Sequence, residues 1–178
     1  HLALNLSAED LHSDRVVHLM GGLARATKAG PGNLVVEATE RGLIDMARAS
    51  PVVGKLRAQG IVVAIDDFGT GYSNLAELER WEVDCLKIDR SFIESIDRGA
   101  ATSRVVPAII EMARARGLEI VAEGISTQNQ LNYLRDRGVH LGQGWLFAQA
   151  MPFAEFEEHV ASASARAEAA SPTFGQLH

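Results

Sequence analysis

The chain has 178 residues, 47% of them hydrophobic and 22% charged, a balance that describes one globular domain able to bury a core. Its net charge of −6 argues against a nonspecific nucleic-acid binder, which needs a basic surface, and its single cysteine excludes an internal disulfide and a thiolate zinc cluster. No run approaches the length needed to span a membrane, and no signal-peptide pattern opens the chain.

In chain order, short apolar runs repeatedly end on one polar group. Leu2, Ala3 and Leu4 lead into Asn5; Leu34, Val35 and Val36 lead into Glu37, with Glu40 close behind. Ser50-Pro51 reads as the cap and first turn of a helix that Gly60 stops. Ile61–Ile65 reads as a buried strand and delivers Asp66 and Asp67, after which Gly69 and Gly71 let the backbone turn. Cys85 and Leu86 lead into Lys87, then Ile88 and Asp89. Thr102–Arg116 is an amphipathic helix ended by Gly117. Ile120, Val121 and Ala122 lead into Glu123 and Gly124; Thr127 then caps a helix carrying Leu131, Tyr133 and Leu134, which Gly138 ends. Leu141 and Gly142 lead into Gln143, Gly144 and Trp145, and Pro152 begins a last helix.

Strands alternating with helices predict βα units around a parallel sheet. Polar groups at C-terminal strand ends suit a (β/α)8 barrel or an open doubly wound sheet. No glycine-rich dinucleotide fingerprint follows the first strand, which favours the α/β TIM-like barrel. Such a barrel takes about 250 residues and rarely fewer than about 200. About six of the eight βα units can be read, so two strands are expected on the N-terminal side of His1. The expected division is a partial barrel domain over 1–160 and a helix end with a flexible tail over 161–178.

The adjacent carboxylates of Asp66 and Asp67 repel unless a proton or cation separates them, and hard divalent cations prefer oxygen ligands. An Asp-rich turn capping a helix is the plainer reading of the pair alone. Glu37 follows three apolar residues, where an unpaired carboxylate is costly to bury. Lys87 is either a snorkelling surface lysine or a strand-end ammonium among acids. Asn5 alone suits a turn or cap. Asp89 suits a cap of the following turn, and Glu123 and Gln143 could each satisfy loop backbone. The six histidines show no ligand spacing, and His140 reads as surface or loop. Cys85 reads as core. Leu75, Leu78 and Trp81 form either an apolar helical face for self-association or part of the core.

Taken together, "NLS" at Asn5–Ser7, "VEATE" at Val36–Glu40, "DDFGTGYSNL" at Asp66–Leu75, "LKIDRSFI" at Leu86–Ile93, "AEGI" at Ala122–Ile125 and "QGWLF" at Gln143–Phe147 resemble the EAL domain in order and spacing. The resemblance covers roughly His1 to Pro152. It implies a bacterial (β/α)8-type barrel that hydrolyses cyclic di-GMP to linear pGpG at a two-metal site with Mg²⁺ or Mn²⁺, Ca²⁺ being inhibitory. It further implies Asn5, Glu37, Asp66, Asp67 and Glu123 as metal ligands, with Asp66 bridging the ions. Lys87 would contact the catalytic water, Glu123 would be the general base, and Asp67 would serve the second ion. Gln143 would position water or ligand, Asp89 would support the site, and Glu40 would hold the "DDFGTG" loop. The implied setting is cytoplasmic signalling, with a homodimer formed through the region after that loop. The longer protein could add a sensor, a GGDEF domain or an inner-membrane anchor.

Departures are also legible. The Glu-Ala-Leu tripeptide that names the family is absent, its position falling before His1. Ser126 replaces the second acid of the usual "EGVET", Ala38 the isoleucine of "EITE", and Trp145 the commoner tyrosine. Two other functions compete: a cyclic di-GMP receptor without turnover, and an unrelated Mg²⁺ barrel of the enolase type. Retention of Glu37, Glu40, Asp66 and Asp67 favours the phosphodiesterase over the receptor, and "GTGYSNL" has no place in the lyase.

Overall fold

A computed structural model describes residues 1–43, 45–69, 80–98, 105–139 and 141–170. Two compact units are present, His1–Phe147 and Ala148–His178. The first contains β1 (Leu2–Leu6), α1 (Asp14–Thr27), β2 (Leu34–Thr39), α2 (Glu40–Leu43), α3 (Met46–Ala58), β3 (Val62–Phe68) and β4 (Cys85–Ile88). It continues with α4 (Arg90–Arg98), α5 (Val105–Ala115), β5 (Glu119–Ala122), α6 (Gln128–Asp136) and β6 (Leu141–Gly142). The second unit holds α7 (Phe153–Ala170), whose first turn closes with Phe156 N–H donating to the Pro152 carbonyl at 3.0 Å. No helix among the described residues is long and apolar enough to cross a membrane.

The six strands form one parallel sheet in the order β1-β2-β3-β4-β5-β6. Each strand lies beside its neighbour in sequence, the expected pattern of successive βα units in a TIM-like barrel. Among the described residues β1 pairs only with β2, and β6 only with β5.

Side chains alternate across this sheet. Val36, Ala38, Val63, Ile65, Leu86, Ile88 and Ala122 are almost wholly buried, in one core with Val53, Leu56, Ile93, Ile110 and Leu134 of the helices. On the other face Ala3, Val35, Ala64, Cys85 and Val121 line a cavity of about 140 Å³ that reaches Glu37, Lys87 and Gln143. The strands therefore carry apolar residues on both faces, and apart from Glu119 at the start of β5 their polar residues gather toward the C-terminal ends.

Helix punctuation is met at Gly60, Gly117, Thr127 and Gly138 and missed at Pro51. Thr127 caps α6 in a capping box with Gln130, and Gly138 follows the helix at φ 68°. Pro51 does not begin a helix: α3 starts at Met46 and Pro51 lies inside it. The proline forfeits one backbone bond, about 3 kcal/mol in a helix interior. Burial of Val52, Val53 and Leu56 on the same helix, about 1.5–3 kcal/mol each, outweighs that loss.

Trp81 is 2% exposed and belongs to the core, off any helix. Leu75, Leu78, Gly71 and His140 lie outside the described residues. Cys85 is a buried core thiol, as expected.

Candidate active site

A regular strand would send the adjacent side chains of Asp66 and Asp67 to opposite faces. β3 escapes this through a bulge. Ile65 pairs with Leu86 and Phe68 pairs with Ile88, so Asp66 and Asp67 together oppose Lys87 alone. Asp67 takes up the extra residue at φ 54°, a left-handed conformation that aspartate tolerates better than most side chains. One carboxylate oxygen each from Asp66, Asp67 and Glu123 then lie within 4.8 Å of one another.

Lys87 enters from β4 and is nearly buried. Its Nζ lies 2.9 Å from Glu37 Oε1, 2.9 Å from Asp66 Oδ1 and 2.6 Å from Glu123 Oε1. Those acids come from β2, β3 and the residue after β5, so one ammonium joins three strand ends. The contact with Asp66 Oδ1 is close but off the direction of a hydrogen bond, and that buried oxygen has no hydrogen-bond donor. An unsatisfied buried carboxylate oxygen beside two further acids fits an oxygen-liganded cation. Asn5 stands opposite Glu37 in the β1–β2 register and is exposed.

Surrounding residues hold these groups in place. Gln143 Nε2 donates to Glu123 Oε1 at 2.7 Å. The next residue, Gly144, lies so close to Ile125 that a Cβ there would collide with the Ile125 backbone. Gly69 donates its N–H to Glu40 Oε1 at 2.7 Å, tying the exit of β3 to the start of α2. Its φ of 94° and the Phe92 ring, 2.9 Å from where a Cβ would sit, admit only glycine. Asp89 Oδ1 accepts the Ser91 N–H at 3.0 Å and so caps the start of α4. Ser126 donates its N–H to Gln130 Oε1 at 2.8 Å, serving the α6 cap.

Electrostatics follow from the crowding. Burial raises the Glu123 pKa; the Lys87 ammonium opposes that rise, while Asp66 and Glu37 add to it. Asp67 is raised by desolvation first, then by the charges of Asp66 and Asp89. Burial alone would lower the lysine pKa of Lys87, but Glu123, Glu37 and Asp66 outweigh it and the net shift is upward. The ammonium stays charged and the acids compete for it.

Glu37, Asp66, Asp67, Lys87, Glu123 and Gln143 are thus brought together, with Glu40 and Asp89 supporting the loops beside them. Sequence spacing does not reveal that the Arg90 guanidinium sits 5.4 Å from the centre of the Trp145 ring. An aromatic residue just beyond a strand-end amide is its only linear signal.

The family model described as "EAL domain" matches residues 1–150. The probable cyclic di-GMP phosphodiesterase PdeB of Escherichia coli is 38% identical over 164 residues, covering 90% of this chain and 31% of PdeB. The crystal structure of the EAL domain of Mycobacterium smegmatis DcpA superposes with a TM-score of 0.84 at 34% identity, covering 90% of this chain and 73% of that one. The Klebsiella pneumoniae BlrP1 manganese and cyclic di-GMP complex has a TM-score of 0.74 at 31% identity, covering 84% of this chain and 38% of that one. A match spanning all six strands and their polar ends makes this chain a member of the EAL domain family.

Proposed function

We propose that this chain provides the catalytic surface of a cyclic di-GMP phosphodiesterase, which hydrolyses the cyclic dinucleotide to linear pGpG with two Mg²⁺ or Mn²⁺ ions. The observation that carries this reading is the convergence of Glu37, Asp66 and Glu123 on Lys87, with Asp67 turned onto the same cluster by the β3 bulge. Its support from relatives is the likeness to PdeB, a probable cyclic di-GMP phosphodiesterase, and to BlrP1 in its manganese and cyclic di-GMP complex.

Hydrolysis joins a water oxygen to phosphorus while one P–O3′ ester bond of the ring breaks, and the leaving oxygen gains a proton. Asp66, Asp67 and Glu123, with Asn5 and Glu37 beside them, would hold the ions. When bound, these would acidify water and withdraw charge from the phosphoryl oxygens. Lys87 offers a fixed positive charge to the phosphoryl group as negative charge develops there. Glu123 is the residue proposed to accept the proton of the attacking water, because burial makes it more basic than an exposed glutamate. Gln143 holds one Glu123 oxygen, leaving less freedom for the carboxylate to turn away. Glu40 and Asp89 act on the backbone around the site.

We propose further that the domain acts in the cytoplasm, with inner-membrane anchoring of a longer protein as one arrangement, and forms a homodimer through the segment after "DDFGTGYSNL". Fractionation tests the first and sedimentation the second. For the activity itself, the domain within its longer protein is incubated with cyclic di-GMP and Mg²⁺ or Mn²⁺, and pGpG is followed by chromatography. Product with either ion and none with Ca²⁺ is expected. Nucleotide binding without product in both Mg²⁺ and Mn²⁺ would replace the enzyme with a receptor.

A further inference from the structure

Two glycines beside the site stand against the same short helix. Gly69 follows the paired aspartates of β3 and Gly124 follows Glu123, and both have positive φ, 94° and 70°. In each case the space a Cβ would need is taken by a side chain from the first turn of α4. The Phe92 ring lies 2.9 Å from that point at Gly69, and Arg90 Cδ lies 2.9 Å from it at Gly124, with Arg90 Cβ and Cγ in the same space. Residues two apart on a helix point about 200° apart, so Phe92 and Arg90 reach the neighbours of β4 on either side. The helix itself is held. Ile93 is wholly buried, and Asp97 accepts hydrogen bonds from Thr127 Oγ1 at 2.8 Å and Asn129 Nδ2 at 2.7 Å. The Arg90 guanidinium is engaged elsewhere, with Glu94 Oε1 at 2.6 Å and over the Trp145 ring, and it is the hydrocarbon stem that meets Gly124.

We propose that the first turn of α4 is a brace that sets the gap between the paired aspartates and Glu123: Phe92 props the exit of β3, the Arg90 stem props the loop after β5, and both are positioning residues for the carboxylates of Asp66, Asp67 and Glu123. One oxygen from each of these acids lies within 4.8 Å of the others, and Mg²⁺ demands near-ideal placement of its oxygen ligands. Glycine at positive φ is the most mobile kind of backbone unless something packs on it. Glu123 precedes such a glycine and lies beyond the end of β5, so its carboxylate moves with that backbone. Its own N–H, bonded to the Ile88 carbonyl at 3.1 Å, ties it to β4, and the Arg90 stem closes the other side. The inference rests on the metal-dependent hydrolysis proposed above and gives Arg90 and Phe92 a role that needs no contact with ion or nucleotide.

Arg90 carries the test because its side chain is exposed, so its variants should fold. In the domain within its longer protein, Arg90→Ala removes the stem. Arg90→Met keeps Cβ and Cγ, puts sulfur where Cδ stood and removes the charge. Arg90→Ala should lower kcat for cyclic di-GMP about tenfold or more, since misplacement on the order of 1 Å is enough for such a loss, with KM and melting temperature nearly unchanged. Calorimetry with Ca²⁺ and no nucleotide should show its metal affinity weakened in parallel, and Arg90→Met should recover most of both. Phe92→Leu, which keeps apolar packing but withdraws the ring from Gly69, should weaken Ca²⁺ binding in the same direction; an unchanged affinity would remove Phe92 from the brace. Arg90→Ala that binds Ca²⁺ and turns over like the wild type, whatever its melting temperature, overturns the brace and leaves the phosphodiesterase standing. Equal impairment of Arg90→Met and Arg90→Ala overturns it too, because the guanidinium and not the stem would then be at work. A wild type that neither binds Ca²⁺ nor hydrolyses cyclic di-GMP overturns the proposed function and the brace with it.

Discussion

Gly69 N–H donates to Glu40 Oε1 at 2.7 Å, so a buried acid at the start of α2 fixes the backbone immediately after the paired aspartates of β3. The acid and the turn are far apart in sequence, yet the bond decides where the bulge leaves its carboxylates. Glu40 is 5% exposed, whereas Gly69 lies at the surface, where its amide can turn to water if the carboxylate is lost. Glu40→Ala is therefore expected to lower stability by about 0.5–1.5 kcal/mol, the net worth of one hydrogen bond. It should also reduce hydrolysis of cyclic di-GMP in the protein carrying the domain, whereas Glu40→Gln, which retains an acceptor, should recover most of the stability. Urea midpoints for the two variants check this; equal loss in both would show that charge matters more than the bond.

Asp67→Asn separates charge from conformation. Asparagine adopts the left-handed backbone as readily as aspartate, so the bulge at φ 54° should persist and thermal stability should change little. Hydrolysis should fall by about 10²-fold or more, about 3 kcal/mol of barrier, with a much smaller effect on nucleotide affinity in Ca²⁺. Turnover close to wild type would remove Asp67 from the catalytic set.

Stability should also respond to pH through Glu123, whose folded pKa is raised by burial. Between the unfolded glutamate value of about 4.3 and the higher folded value, the native state holds a proton that the unfolded chain releases. The contribution of this group is thus fully present below the lower value and is lost as pH rises through the window. In chelator, urea midpoints measured from pH 4 upward should show a fall on this account that Glu123→Gln abolishes. A pH profile identical in the two proteins would contradict the shift.

Cys85 offers an independent check on the packed sheet. Burial pushes its thiol up to about 12, so almost no thiolate exists near neutral pH. Its reaction with a disulfide reagent should be very slow in the native chain and fast in denaturant. Rapid native labelling would mean that the cavity lined by Ala64 and Cys85 opens readily.

Much of this molecule is legible in its linear order. Short apolar runs ending on Asn5, Glu37, Asp66, Lys87, Glu123 and Gln143 predict parallel strands with chemistry at one end, and the six strands pair in sequence order. Thr127 predicts a helix start, and the structure completes its capping box with Gln130, a local bond between residues three apart. Pro51 was not readable in the same way: burial of the α3 face, a long-range effect, outweighs the local preference of proline. Nor does alternation along β3 explain how adjacent aspartates reach the same acid. That depends on Asp66 and Asp67 together opposing Lys87 across the strand pair. Local chemistry determined which residues end the strands. Only the tertiary structure decided that Lys87 is shared by three acids, because carboxylates on separate strands meet one ammonium only when the sheet sets its strands side by side.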